Sequence, residues 1–408
     1  MLETDEAARR LGVKVNTLYA YVSRGLLRSH RAPDGRRSLF EVEEVEGLAR
    51  RSREGRAVET RMAVITTGVT QLTESGPLYR GRRAVELATT ASFEDVAELL
   101  WNVREPEDPT PAWTALDLGR PPLLRAPSVI EWSLVMAGAL DPVRADLRPD
   151  AVVRTTRQLI ATVVDALVDA AAPALGRETT DRADRSLTPL DLDDGRERRS
   201  SIASRLAMCL STAPTRSLVR AINAALVLLA DHELASSTMA VRIAASTRAD
   251  PYDAILAGLG TIAGPLHGAA SQQVCNLLHE TDRVGVERAV DDALRWQRML
   301  PGFGHTVYTD GDPRYLVLER LFDELATPQA RATVHSLVEL AAAQRIPRPN
   351  VDLGLAAITW AMDLPPEAGQ TLFSLARISG WIAHYLEELG ERPLRYRARA
   401  VYAAATEG

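Results

Sequence analysis

Three histidines and one aspartate of this 408-residue chain fall where helical patterns break rather than in the middle of a helix face. His267 lies in Gly264-Pro265-Leu266-His267-Gly268, between two apolar-periodic stretches. Pro265 and Gly268 interrupt the run, so His267 is expected at the N-terminus of the next helix, where the positive end of the dipole disfavours imidazolium. A neutral imidazole can donate to a carbonyl and stabilise an enolate; the competing reading is an ordinary loop histidine. His305 follows Pro301-Gly302-Phe303-Gly304, and two glycines let backbone approach a ligand closely. Asp312 is predicted to cap the helix that Pro313 begins. Arg314 then sits in a first turn, where a lone cation is slightly unfavourable and an anionic ligand would account for it. His232 ends a strongly apolar helix, and complementing the C-terminal dipole is its alternative role. Asp352 precedes another apolar helix and by itself reads as a common N-terminal acid. Arg377, inside the apolar run Phe373 to Trp381, needs either a salt-bridge partner or an anionic ligand.

The elements that must position these groups are helical. Apolar residues recur at helical spacing from Val152 to Ala172, at Ile202, and from Leu218 to Ala230. Further helices are predicted over Pro251–Ile262, Ala269–Glu280, Val286–Met299, Pro313–Leu325, Pro328–Ala343, Leu353–Met362 and Glu367–Leu389. A short hairpin is expected near Val64 to Leu72, turning at Glu74-Ser75-Gly76. Residues 106–129 read as Pro-rich and irregular, and 176–200 as a charged, exposed loop. No β-α alternation and no repeat of 20–50 residues is visible, so the fold class is all-α and a doubly wound sheet is disfavoured.

Residues 1–56 differ in character. They carry a net charge of +3, and the remainder carries −9. Thr4 is predicted to cap a helix over Asp5–Leu11, which Gly12 ends; Asn16 caps a second over Thr17–Arg24, which Gly25 ends. Asp34-Gly35 is a hairpin signal between the arms Leu26–Ala32 and Arg36–Phe40, and a third helix starts at Val42. Two short helices around a tight turn, followed by a hairpin, form a small winged helix-turn-helix. The stretch resembles the DNA-binding domain of MerR-like and excisionase-like proteins. That resemblance implies that Lys14, Asn16, Thr17, Tyr19, Tyr21 and Arg24 face a groove and that Arg36 and Arg37 touch phosphate. Dimer packing or protein contact is the other use of such a head. Three net positive charges are few for tight DNA binding.

Composition narrows the chemistry. The chain is 46% hydrophobic and 25% charged, as a globular protein should be. Lys14 is the only lysine, which excludes any Schiff-base or P-loop mechanism needing a lysine in the body. Cys209 and Cys275 show no metal-ligand spacing and read as core thiols, so no metal site is expected. The acidic N-terminus does not read as a signal peptide, and the longest strongly apolar stretch, Ala224 to Ala230, is too short to span a bilayer. A cytoplasmic protein with no membrane contact is expected.

From residue 57 onward the chain resembles the citrate synthase family over essentially its whole length. The carrying motifs are LYRG with SFEDVAELLW, ADHELASST, GPLHGAA, PGFGHTVY followed by DPR, NVD, and FSLARISGWIAHYLEE. The resemblance implies a large domain over 57–270 and 364–408 and a small domain over 271–363. It implies catalytic roles for His267, His305 and Asp352, and oxaloacetate binding by His232, His305, Arg314 and Arg377. A further arginine would come from the partner subunit of a homodimer: the ungapped match points to Arg395, and the register that uses Tyr402 points to Arg397. Tyr396 replaces the usual proline, and Thr306 stands where many bacterial relatives have arginine. The implied activity is condensation of acetyl-CoA or propionyl-CoA with oxaloacetate, giving citrate or 2-methylcitrate and CoA. Acyl-CoA is then a substrate, and no bound cofactor is expected. The alternative is a DNA-binding regulator that uses the body as an acyl-CoA or oxaloacetate sensor.

Overall fold

The computed structural model describes residues 1–11, 13, 15, 18, 21–22, 27–31, 38–48, 65–103, 113–176, 186–187, 201–264, 267–268, 270–296 and 299–397. They form two compact units, Met1–Thr66 and Thr67–Gly408.

In the first unit, α1 (Thr4–Leu11) is flanked by a three-stranded antiparallel sheet of β1 (Leu2–Glu3), β2 (Ser29–Arg31) and β3 (Ser38–Phe40), in the order β1-β3-β2. The predicted wing is there, and β1 extends it by pairing Leu2 with Phe40. Thr4 opens the helix, but its hydroxyl donates to the Ser38 carbonyl at 3.4 Å, tying helix to sheet. Leu2, Ala7, Ala8, Leu11, Leu18, Leu27, Phe40 and Val45 make the core. Tyr21 is half-buried and packs against that core. Lys14, Asn16, Thr17, Tyr19, Arg24, Arg36 and Arg37 lie outside the described residues.

The second unit opens with the small sheet β4 (Thr70–Thr73), β5 (Gly76–Tyr79) and β6 (Arg82–Arg83). Helices follow: α2 (Ala84–Thr90), α3 (Phe93–Trp101), α4 (Ala126–Leu140), α5 (Pro149–Ala171), α6 (Ile202–Leu210), α7 (Arg216–Leu229), α8 (Ser236–Ser246) and α9 (Pro251–Ile262). Then come α10 (Ala270–Val284), α11 (Val286–Trp296), α12 (Pro313–Leu325), α13 (Pro328–Ala343), α14 (Val351–Ala361) and α15 (Ala368–Leu389). A two-stranded ladder, β7 (Trp113–Thr114) with β8 (Ser186–Leu187), crosses the stretches read as irregular. Cys209 and Cys275 are buried free thiols, as expected.

Two helices escape the sequence reading. α4 begins at Ala126 inside the Pro-rich stretch, because Pro127 suits a first turn, where its missing N–H costs nothing. α8 is rich in small and β-branched residues and has no side-chain N-cap, so neither periodicity nor capping announces it.

The centre of the unit is α15. Every residue from Thr371 to Tyr385 is buried, so the helix is covered on all sides, as a core helix should be. It packs against α3, α7, α8, α9 and α4. Among the described residues, no helix is long and apolar enough to cross a membrane.

Candidate active site

The loop after α7 carries His232, and it is tightly held. The phenol oxygen of Tyr79 lies 3.0–3.2 Å from the carbonyls of Val227, Leu228 and Asp231, drawing them together at the helix end. His232 is half-buried, and its Nε2 is enclosed without a hydrogen-bond partner. Burial, then the charges of Arg314 and Arg377, hold its pKa well below the usual 6.5. A ring held neutral brings no positive charge to the helix C-terminus.

His267 sits in the turn between α9 and α10, three residues ahead of Ala270. Its backbone N–H donates to Gly264 at 2.9 Å, and its carbonyl accepts from Ala270 at 3.1 Å. Nε2 lies 2.9 Å from Ser237 Oγ, and the ring meets Phe373 edge-on at 5.8 Å. Burial lowers its pKa to about 4, with Arg377 adding to the shift. The expected neutral imidazole is there, and burial is its main cause.

Gly302 and Gly304 adopt φ of 84° and 83°, which an L-residue with a side chain rarely does, and fold the backbone back before His305. This strap is stitched to the segment ahead of Asp352. Gly304 N–H donates to Arg348 at 2.8 Å, Asn350 N–H to Gly302 at 2.9 Å, and Asn350 Nδ2 to the Gly304 carbonyl at 2.8 Å. His305 Nδ1 accepts from the backbone N–H groups of Val307 and Tyr308 at 3.0 and 3.3 Å, and Nε2 faces Arg314 Nη2 at 3.4 Å. The ring stacks on Tyr308 at 4.7 Å, and its centroid is 5.3 Å from that of His232. Burial and the nearby Arg314 charge lower its pKa.

Arg314 is 3% exposed and is not the lone cation expected from sequence. Asp312 caps α12 and also grips the guanidinium, accepting from Nε at 3.0 Å and Nη2 at 2.8 Å. Burial opposes the charge on Arg314, but Asp312 outweighs it and holds the arginine fully cationic. Asp312 Oδ2 also accepts from Val351 N–H at 3.0 Å, so one carboxylate joins Arg314 to the start of α14.

Asp352 is in the first turn of α14, and Asn350 is the N-cap, accepting from Asp352 N–H at 3.0 Å. That leaves the carboxylate free for other work: its Oδ1 is buried and unpaired. Burial raises its pKa to about 6, Arg314 opposing and Asp312 adding.

Arg377, 1% exposed, donates from Nε to the Leu229 carbonyl at 2.8 Å, while Nη1 and Nη2 have no partner. The salt-bridge alternative is therefore not what the chain adopts. Two unpaired buried guanidinium nitrogens are costly unless an anion completes them. A cavity of about 760 Å³ opens over this region. His232, His267 and His305 all line it, with Leu72, Ser236 and Thr261. Asp352, Arg314 and Arg377 are not among the residues that line it, although the charges of Arg314 and Arg377 act on His232.

Comparison with known proteins follows the same line. Residues 129–399 match the family described as "Citrate synthase, C-terminal domain". This chain belongs to the citrate synthase family. Residues 1–53 match a "Helix-turn-helix domain". A citrate synthase of Mycolicibacterium smegmatis is 30% identical over 82% of this chain and 91% of that protein. Citrate synthase 2 of Bacillus subtilis is 27% identical over 83% and 92%. Against the Synechocystis citrate synthase, 33% identical, the match spans about half of each chain, 48% and 51%. The crystal structure of citrate synthase from Thermotoga maritima superposes with a TM-score of 0.64 at 25% identity, over 85% of this chain and 96% of that one. The Thermoplasma acidophilum citrate synthase, solved in a ternary complex with carboxymethyl coenzyme A and oxaloacetate, shares the fold with a TM-score of 0.66 at 23% identity, over the same shares of each chain.

Several residues of this family member escaped sequence reasoning. Ser237 lies on the unanticipated α8, and its contact with His267 spans 30 residues. Tyr79 belongs to the quoted LYRG motif, but its bonds cross about 150 residues. Asp312 was read as a cap only. In the tail, Arg395 is engaged within its own chain, bonding both oxygens of Glu388 at 2.7 and 2.5 Å, whereas Arg397 is exposed.

Proposed function

We propose that this protein condenses an acyl-CoA, acetyl-CoA or propionyl-CoA, with oxaloacetate and releases CoA. The observation that carries the reading is the pair of unpaired Nη groups on buried Arg377, beside three neutral imidazoles on one cavity. A dianionic keto acid supplies what the guanidinium lacks, and its ketone needs neutral donors. The ligands named for the Thermoplasma acidophilum enzyme are of the same chemistry.

In this mechanism Arg377, Arg314 and His232 bind oxaloacetate. Asp352 takes a proton from the α-carbon of the acyl thioester. His267, with the Ser237 hydroxyl donating to Nε2, holds its proton on Nδ1 and donates it toward the thioester oxygen as the enol forms. The α-carbon bonds to the ketone carbon of oxaloacetate, and the His305 imidazole donates to the developing alkoxide. Water then cleaves the thioester and frees CoA. Closure of the segment 271–363 over the rest would exclude water until the carbon–carbon bond has formed. The protein would act as a homodimer. Because Glu388 occupies Arg395, Arg397 is the residue that would reach the partner's oxaloacetate. The head would contact DNA through the helix after Gly12 and the wing.

The test is steady-state release of CoA with oxaloacetate and each acyl-CoA in turn. Turnover with at least one donor, lost in Asp352→Asn, is expected. No turnover with either ends the reading. One methylene is worth about 1–3 kcal/mol, so the two donors should differ by about tenfold or more in kcat/KM.

A further inference from the structure

One buried carboxylate stands outside the chemistry just proposed. Asp231, next to His232, is fully buried. Its Oδ2 accepts from the backbone N–H of Glu233 at 3.0 Å, closing an Asx turn around His232. Glu233 completes that turn in the left-handed region, at φ 55°. The same oxygen lies 3.3 Å from His384 Nε2. The other ring nitrogen of His384 faces Arg242 Nη1 at 3.0 Å. A guanidinium has no acceptor, so Nδ1 must accept and the ring proton must sit on Nε2, directed at Asp231. Arg242 is anchored in turn by Glu388 at 3.0 Å and Glu387 at 3.1 Å. Asp231, His384, Arg242 and Glu388 are all fully buried.

The two site arginines are neutralised differently. Asp312 occupies the fork of Arg314 directly. The charge of Asp231 acts on Arg377 through space, and no hydrogen bond takes up its Nη groups. Burial opposes the carboxylate of Asp231, but His384 and Arg377 outweigh it and keep it ionised. Gly380 makes the arrangement fit: a Cβ there would overlap Asp231 Oδ1 and the Ala230 carbonyl.

We infer that Asp231, oriented by His384 and Arg242, is a positioning residue of the oxaloacetate site: it fixes the loop that carries His232 and gives Arg377 a counter-charge without using its donors. The inference rests on the oxaloacetate reading above. Titration calorimetry of oxaloacetate into the full-length wild type and Asp231→Asn tests it. The amide oxygen can still accept from Glu233 and His384, so the variant should fold. Its Kd for oxaloacetate is expected to rise about threefold or more, because an amide oxygen holds the Glu233 N–H and His384 more weakly than a carboxylate does and so loosens the loop that carries His232. The KM for acyl-CoA at saturating oxaloacetate should stay within about twofold, since uniform loss of structure would move both constants. Unchanged or tighter oxaloacetate binding by a folded Asp231→Asn overturns this inference alone. A wild type that binds no oxaloacetate overturns the proposed function, and this inference with it. Should Asp231→Asn not fold, His384→Gln replaces it: a Kd raised about threefold or more supports the relay, and an unchanged Kd overturns it.

Discussion

Asp352 holds a buried, unpaired carboxyl oxygen, and burial raises its pKa from the ordinary 3.8 to about 6. The folded state therefore binds this proton more tightly than the unfolded chain. Above pH 6 the group is ionised in both states, and the folded protein bears the full cost of burying the charge. Two pH units at about 1.4 kcal/mol each make that cost about 3 kcal/mol. As pH falls from 6 to 3.8 the cost disappears. Asp352→Asn removes the charge but buries an amide N–H, at about 1–2 kcal/mol if it stays unpaired. The variant is thus expected to be more stable than wild type by about 1–2 kcal/mol at pH 7.5, while losing turnover. Near pH 4 that advantage should vanish. His267 and His232, with lowered values, make stability fall with pH below 6.5, so the wild-type-to-variant difference is the quantity to compare. Urea unfolding of both proteins from pH 4 to 8 measures it. In the wild type, kcat/KM for acyl-CoA should rise with pH about a midpoint near 6, standing at about a tenth of its plateau at pH 5. A variant less stable than wild type at pH 7.5, or a flat kcat/KM between pH 5 and 8, would refute the reasoning.

Three further substitutions bear on the site. Arg377→Met removes the two unpaired Nη donors, and charged hydrogen bonds of about 1.5–3 kcal/mol each predict oxaloacetate binding weaker by about 10- to 100-fold or more in calorimetry. Ser237→Ala leaves His267 Nε2 without its partner, and a loss of about 1–3 kcal/mol should lower kcat by about 5- to 100-fold with oxaloacetate Kd little changed, as single-turnover kinetics would show. Gly380→Ala pits a helix-propensity gain of about 1 kcal/mol against overlap with Asp231 and Ala230, and overpacking of about 1–3 kcal/mol should prevail as a lower midpoint in urea.

Local chemistry was legible in the sequence wherever neighbours in the chain decide it. Helical spacing marked α5, α7 and α15, and Pro251 and Pro313 marked the starts of α9 and α12, because apolar faces and first-turn prolines act over a few residues. The breaks holding His267 and His305 were visible for the same reason. α4 and α8 were not, since tertiary packing overrides weak local preference.

The sequence by itself determined the mostly helical body, the separate head, and the residues able to do chemistry, because composition, periodicity and turn residues are properties of the chain. Only the tertiary structure decided which charges are paired and which are left open. It gave Arg314 to Asp312 and left the Nη groups of Arg377 unpaired, set Ser237 against His267, and buried Asp352 deeply enough to raise its pKa. Desolvation and long-range hydrogen bonds depend on what lies around a group in space, and here the partners stand as many as about 150 residues apart.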